Sequence, residues 1–489
     1  PFLFQSVAFM VVFTVFYTLY LLVANFGRAR VWLINLFSIY FYWRASNYLV
    51  TFGDPDDPSL QIPWFVFMIA VALSDWLIAK GIHRTESIAG KRAWVALSLT
   101  ISLGMLAYFK YAGFFSSFFA DVSAGDLAVI VFPLGISYYT FKTVGYILDV
   151  FYEELEPEPD FGHYLLYISF FPTILMGPIL RATDFLPQIR KRFVLDRKQI
   201  GFAFFLFLTG LFKKLVIADR LALDYVNRMF DTPDVYSGLE LLIASFTYGF
   251  HLFADFSAYT DMAIAIGILL GFEIPINFNE PFKAKNISEF WRRWHMTLSF
   301  WFNDYVYTPL SFSWRSIGRW GAVLAVLITF FLSGLWHGPN WTFVLWGTAH
   351  GVAIAWETAT RKSRAKVRKA IPTGVYDFIS LLLTFSFLGI TYVFFKADSL
   401  DEVWLIYGRI LNNFGGELWY DWLVAYWKVA AILLLAIVLH FVPTNAKAGL
   451  ARTYSGAHWS VQIIGAVLIV VLIQQLAAAE SQGFVYLQF

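Results

Sequence analysis

About twenty apolar residues in a row, Phe4–Val23, begin a chain in which runs of this kind recur about a dozen times. The others lie near 31–52, 62–80, 93–119, 127–150, 163–180, 200–218, 238–272, 320–356, 374–395, 424–443 and 460–479. A helix of roughly 20 apolar residues spans the hydrocarbon core of a bilayer. Inside that core every backbone polar group must be paired within the protein, which leaves helices or closed barrels. Runs this long are read as helices. Hydrophobic residues make up 59% of the 489 and charged residues 14%, against about 25% charged in soluble domains. The fold class expected is an all-α polytopic membrane protein, a single integral domain over 1–489 with roughly eleven to fourteen membrane-embedded helices. Phe4–Val23 exceeds the apolar core of a signal peptide and reads as a retained helix. The first residue is Pro1, which implies a missing initiator Met. A net charge of +2 gives no reason to expect nucleic acid, and the absence of Cys excludes thiol catalysis, disulfides, Cys-bound zinc and an acyl-cysteine.

Basic loops at Arg28/Arg30, Lys80–Arg92, Arg181–Lys198, Lys283–Arg293, Arg361–Lys369 and Lys447–Arg452 alternate with acidic ones at Asp54–Asp57, Asp121–Asp126, Asp231–Glu240 and Asp398–Asp421. Placing the basic loops in the cytosol puts the N-terminus and the tail 480–489 outside the cell membrane. The parity then fails between Asp121–Asp126 and Arg181–Lys198, where two apolar stretches replace an odd number. Both carry breakers, Pro133 and Gly135 in one, Pro172, Gly177 and Pro178 in the other. One stretch is therefore expected to re-enter or to break within the membrane, beside a cavity. The alternative is that the acidic loops mislead and the orientation is reversed.

Ionisable groups in apolar segments are costly and mark function by default. They concentrate from Tyr248 to Trp346. Asn286 and Glu289 resemble a capping box that starts a helix near Ile287, with Glu289 and Arg293 spaced for an i,i+4 ion pair. This puts His295 one to two turns inside an aromatic-rich helix, either in a site or in an interfacial helix anchored by Trp, Arg and His. His337 ends a mostly apolar run, Ala322–Trp336, just before Gly338 and Pro339, which stop a helix. An imidazole at such a break, with water beside it, suits a general base; the plainer reading is a His satisfied by a neighbouring helix carbonyl. His251 and Asp255, i,i+4, with Asp261 nearby, give only a weak metal reading, and polar pairing explains them more simply. No GxSxG elbow or phosphate loop occurs, and His350 has no role in this reading.

The segments YFKYAGFF (108–115), FPLGISYYTF (132–141), MGPILR (176–181), FADFSAYTDMAIAIG (253–267), ISEFWRRWHMTLSFWFNDYVYTPL (287–310) and SGLWHGPNWTFVLWGTAHG (333–351) together resemble the membrane-bound O-acyltransferase (MBOAT) family, and within it the bacterial alginate O-acetyltransferase (AlgI-like) type. The resemblance implies helices around a central tunnel, His337 as the catalytic residue and His295 as the second active-site His. It also leaves Asp255, Asp261 and Asn340 as supporting polar groups. The D-alanyl transfer protein of teichoic acid modification shares RRWHMTLSFWF, so this stretch does not fix the acyl group. The chain departs from the alginate type at Ala254, Ala258 and Leu310–Trp320, which leaves the polymer open.

The tail GFVYLQF (483–489) resembles an F-x-Y-x-x-F ending of these export systems, in which the Tyr, here Tyr486, carries the acyl group briefly; an interfacial aromatic anchor is the alternative. The function implied is acetyl transfer from a cytosolic thioester, acetyl-CoA, to an extracytoplasmic polysaccharide, alginate-like or another exopolysaccharide or cell-wall glycan, by a multi-pass protein of the bacterial inner membrane. Lys283, Lys285, Arg292 and Arg293 would meet the donor's phosphates. His337 would take the proton of the attacking hydroxyl, and His295 would position or polarise the acyl carbonyl. An extracytoplasmic SGNH-type acetyltransferase would be the partner, with no resident cofactor or metal. Transfer of another acyl group, such as D-alanine from a carrier protein, and a polytopic transporter with a His/Asp proton relay remain the alternatives.

Overall fold

The computed structural model describes residues 2–46, 49–54, 57–112, 114, 134–478 and 481–487. The acidic loop Asp121–Asp126, Pro55 and Asp56 of the first acidic loop, Gly113, Phe115, Phe132 and Pro133 of the sequence motifs, and Glu480, Gln488 and Phe489 of the tail lie outside the described residues. The chain is overwhelmingly helical; among the described residues the strands form one antiparallel hairpin, Leu49–Asp54 with Asp57–Pro63.

Seven helices among the described residues are long and apolar enough to cross a membrane: Trp64–Arg84, Ile88–Tyr111, Arg197–Asp231, Gly238–Leu269, Arg319–His337, Thr373–Lys396 and Trp459–Leu476. The pair Gly416–Ala425 and Trp427–Phe441, bent by 93°, makes an eighth if it is one broken span. The hydropathy count of roughly eleven to fourteen also takes in apolar segments too short or too interrupted to cross alone, Phe161–Ser169 and Phe171–Ile174 among them. Between its polar ends Trp459–Leu476 is apolar over Ile463–Ile473, with Ile464 and Leu468 exposed, as suits a helix that faces lipid.

Two compact units divide the chain, one of residues 1–203 and 262–275, the other of 204–261 and 276–489. In the first, the expected break in the 163–180 stretch is present. The helix stops at Ser169, Phe171–Ile174 makes a single turn around Pro172, and the chain then runs irregularly to Ala182 with Gly177 in the left-handed region. The backbone groups released there find buried partners. Lys142 donates to the Tyr167 and Ile168 carbonyls and to Thr173 Oγ1, and Ser38 accepts from the Phe171 N–H. Gly135 has a φ of 76° and begins the helix Ile136–Phe151; a Cβ there would stand 2.4 Å from the Ile174 carbonyl oxygen. Only glycine fits that approach.

In the second unit, Arg319–His337 and Trp341–Ala359 form a helical hairpin around Gly338 and Pro339. Gly334 and Gly347 face each other closely, since a Cβ on Gly347 would lie 2.6 Å from the Gly334 Cα. Small residues let membrane helices approach in this way, and the contact fixes His337 and Trp346 on one rigid piece. Asn340 caps the second helix, accepting from the Thr342 N–H and donating to the Asp398 carbonyl.

Candidate active site

The Asn286 half of the capping box forms as expected, while Glu289 reaches back one residue further and accepts from the Lys285 N–H. Asn286 Oδ1 accepts from the Glu289 N–H at 2.8 Å, the helix starts at Ile287, and Glu289 pairs with Arg293 at 2.9 Å. The buried carboxylate of Glu357 adds acceptors for the N–H groups of Ile287 and Ser288. The helix nevertheless ends at Trp291. His295, expected one to two turns inside it, lies at a break, with φ 42°, before a second helix Met296–Phe302. The cause is the segment beside it. Asn279 N–H donates to the Arg293 carbonyl, Met296 N–H donates to the Asn277 carbonyl, and Asn277 Oδ1 accepts from Thr297 N–H, Thr297 Oγ1 and His295 Nδ1. A left-handed non-glycine residue costs roughly 1–3 kcal/mol and persists only where its surroundings over-determine it.

Asn277 also sets the tautomer. A backbone N–H can only donate, so the Asn277 atom that receives Thr297 N–H at 3.2 Å is the oxygen, and His295 Nδ1 at 3.1 Å carries a proton toward it. The lone pair then lies on Nε2, which is buried with no hydrogen-bond partner among the described residues, as is Asn277 Nδ2. His295 belongs to none of the spanning helices, and burial holds its imidazole far below the ordinary value, at about 3. A neutral ring in this tautomer accepts at Nε2.

His337 is the last residue of its helix, and Gly338 is extended, as the Gly-Pro pair requires. Aromatic rings stand close around His337. The ring is 3% exposed, with centroids of Trp336 at 4.8 Å, Trp346 at 4.9 Å, Phe395 at 5.2 Å and Tyr486 at 5.8 Å. Tyr486 is shared between the two histidines. Its centroid is 6.0 Å from His295 and 4.3 Å from Phe256, and the Trp294 indole N–H donates to its phenol. Burial pushes that phenol above its ordinary value against the effect of Trp294, so a base is needed to take its proton. Tyr486 is therefore not an outer-surface anchor but a buried ring packed against both histidines.

Among the other expected residues, Asp255 stays beside the site, its Oδ2 accepting from the Val485 N–H next to Tyr486. Asp255 and Asp261 hold Lys214 and Lys213, each at 2.8 Å, so Asp255 is committed to an ion pair rather than to a metal shared with His251. Lys283, Lys285 and Arg293 pair with Glu280, Asp377 and Glu289. Arg292 is exposed and lines a cleft of about 400 Å³ with Ser288, Asn303, Tyr307, Thr329 and Ser333. Asn340 is a helix cap.

Sequence reasoning missed Asn277, Lys214, Asp219 and His350. Asn277 had a signal in the alternation Ile276-Asn277-Phe278-Asn279, which reads as extended chain rather than helix. The lysine pair 213–214 inside the apolar run 200–218 was also visible as an intramembrane charge. His350 carried the same signal, an ionisable group inside the apolar run 320–356: it accepts from the Trp291 indole at 3.2 Å and packs on Trp346 at 4.8 Å.

The MBOAT, membrane-bound O-acyltransferase family, matches residues 148–392, a span that contains both histidines, with Tyr486 beyond it. The chain is 32% identical over 370 residues to the peptidoglycan O-acetyltransferase of Helicobacter pylori, covering 70% of this chain and 69% of that one. It is 31% identical over 421 residues to the probable alginate O-acetylase AlgI of Pseudomonas aeruginosa, covering 84% and 75%. With the teichoic acid D-alanyltransferase of Bacillus subtilis it shares 32% identity over 277 residues, covering 54% and 68%. These matches set the transporter reading aside. A polytopic helical chain with two buried histidines packed on one tyrosine, aligned over most of its length with relatives named for O-acetyl transfer, belongs to the membrane-bound O-acyltransferase family and is an O-acyltransferase.

Proposed function

We propose that this enzyme carries an acetyl group across the bacterial inner membrane, from cytosolic acetyl-CoA to Tyr486, and that an extracytoplasmic SGNH-type acetyltransferase passes it on to a polysaccharide hydroxyl. The observation that supports this most is the position of Tyr486, between His337 and His295 with centroids at 5.8 and 6.0 Å. His337 takes the phenol proton as the Tyr486 oxygen attacks the thioester carbonyl. The C–O bond forms, the C–S bond breaks, and the imidazolium returns the proton to the departing thiol. General-base help of this kind supplies roughly 10²–10⁴ in rate. His295 packs edge-on against the phenol ring and holds it in place. Arg292, at the rim of its cleft, meets a donor phosphate, and both chain termini face outward.

The test is purified enzyme in lipid nanodiscs with isotopically labelled acetyl-CoA, followed by mass spectrometry of the C-terminal peptide. The expected result is a single acetyl on Tyr486, lost in His337→Ala. An unmodified tail during turnover to an external acceptor would refute the relay. Because a relative is named a D-alanyltransferase, a D-alanyl carrier-protein thioester is run in parallel, and selective labelling by it would replace acetyl as the cargo.

A further inference from the structure

We infer that the buried Lys214–Asp219–Asp255 triad is a peptide-docking cradle whose side chains grip the main chain of residues 481–485 and act as positioning residues for Tyr486. All three side chains are essentially unexposed, with Lys214 Nζ 2.8 Å from a carboxylate oxygen of each aspartate. A buried ion cluster is tolerated only when hydrogen bonds satisfy what the ion pairs leave over. Lys214 donates to Asp255 Oδ1 at 2.8 Å and to the Gly483 carbonyl at 3.2 Å, and pairs by charge with Asp219 Oδ1 at 2.8 Å. Each aspartate has a second oxygen that Lys214 does not reach. Asp255 Oδ2 accepts from the Val485 N–H at 2.8 Å, and Asp219 Oδ2 accepts from the Gln482 N–H at 3.3 Å and the Ser481 hydroxyl at 3.2 Å. The tail thus supplies a hydrogen-bond donor or acceptor to each of the three side chains.

These contacts fix register. They are made almost wholly to main chain, so they hold an extended segment without reading its side chains. Identity is read once, at Phe484, which is fully buried, meets Tyr259 edge-on at 5.1 Å and lies under the Lys214 ammonium at 4.6 Å. Asp255 holds the N–H of residue 485, and its neighbour Phe256 flanks the ring of residue 486. A slip of one residue would bring Val485 or Leu487 to the histidines in place of the phenol. Hydrogen bonds and one cation–π contact are individually exchangeable, as a segment that must later release its cargo outside requires. That consequence rests on the relay reading above; the docking rests on the contacts alone.

The chain has no Cys, so Val485→Cys gives a single thiol that the docked tail buries. In full-length enzyme the rate of its maleimide modification reports undocking. Adding Asp255→Asn or Lys214→Met should raise that rate about tenfold or more, the scale of losing one hydrogen bond to a charge. Gln482→Pro removes only a tail N–H and leaves the triad whole, so it should do the same in protein whose helices are undisturbed. Acetyl transfer should show kcat lowered by a similar factor with donor KM unchanged within about threefold, since the triad touches no donor. Modification rates within about twofold of the parent in all three variants would overturn the cradle. Tyr486→Phe separates the two ideas: added to Val485→Cys it should leave the introduced thiol protected, and continued transfer in it would refute the relay while the cradle stands.

Discussion

Replacing Asn277 with alanine tests whether His295 works through the tautomer imposed on it. In the wild type, Asn277 Oδ1 accepts from His295 Nδ1, Thr297 N–H and Thr297 Oγ1 at 3.0–3.2 Å. The hydroxyl can rotate elsewhere, so the substitution leaves two orphaned N–H donors at about 1–3 kcal/mol each. It also removes the unpartnered Asn277 Nδ2, which returns a similar amount for one group, so the net destabilisation is about 1–3 kcal/mol. The catalytic cost is separate. Loss of the partner that fixes a catalytic imidazole's tautomer can cost about 10⁴ in kcat where that partner is a carboxylate. An amide orients without adding charge, so we expect a fall of about 10²–10³ in kcat, with donor KM changed less than about threefold. The assay is single-turnover acetylation of Tyr486 in nanodiscs, on protein whose thermal unfolding shows it folded. The decisive comparison is the His295→Ala background. If Asn277 acts only through His295, adding Asn277→Ala there should change kcat by less than about twofold, because residues acting as a unit are not additive. An equal loss in both backgrounds, or a folded Asn277→Ala enzyme of normal rate, would refute the reasoning.

His337→Ala should lower transfer by roughly 10²–10⁴ in kcat while the chromatographic profile and unfolding temperature stay near those of the parent; a tenth of the activity remaining would argue against a general base there. Gly347→Ala drives a methyl to 2.4 Å from the Phe330 carbonyl and 2.6 Å from Gly334, so it should wedge the hairpin apart, destabilise the protein by about 1–3 kcal/mol and reduce activity with it; unchanged unfolding would contradict the packing. Glu280 lies outside the spanning helices; burial pushes its carboxyl up, but hydrogen bonds from Lys447, Lys283 and Thr444 outweigh this and hold it at about 2. A folded value below the unfolded value of about 4.3 stabilises fully above that pH and drains away as pH falls toward 2. Glu280→Gln should therefore unfold more easily than wild type at pH 7 and converge with it in acid, and a gap that persists at about pH 2 would count against the ion pairs.

Local rules account for what could be read directly. Capping at Asn286, the Glu289–Arg293 pair and the stop at His337 before Gly338 and Pro339 are decided by atoms within about one helical turn, and they appear where spacing places them. The membrane class follows from composition and run length, because lipid admits few backbone solutions. The break at His295 was not readable from its own neighbourhood, where propensity and the aromatic face favour a continued helix. It arises because a segment 18 residues earlier supplies the competing hydrogen bonds. The aromatic walls of His337 come from separate stretches of the chain, and the ties between the tail and Lys214 and Asp255 span 269 and 230 positions. Hydropathy and periodicity carry no information about such separations. The choice of partner there belongs to the packed bundle, where a buried charge or an orphaned N–H is costly enough that the fold must bring its complement from wherever in the chain it lies.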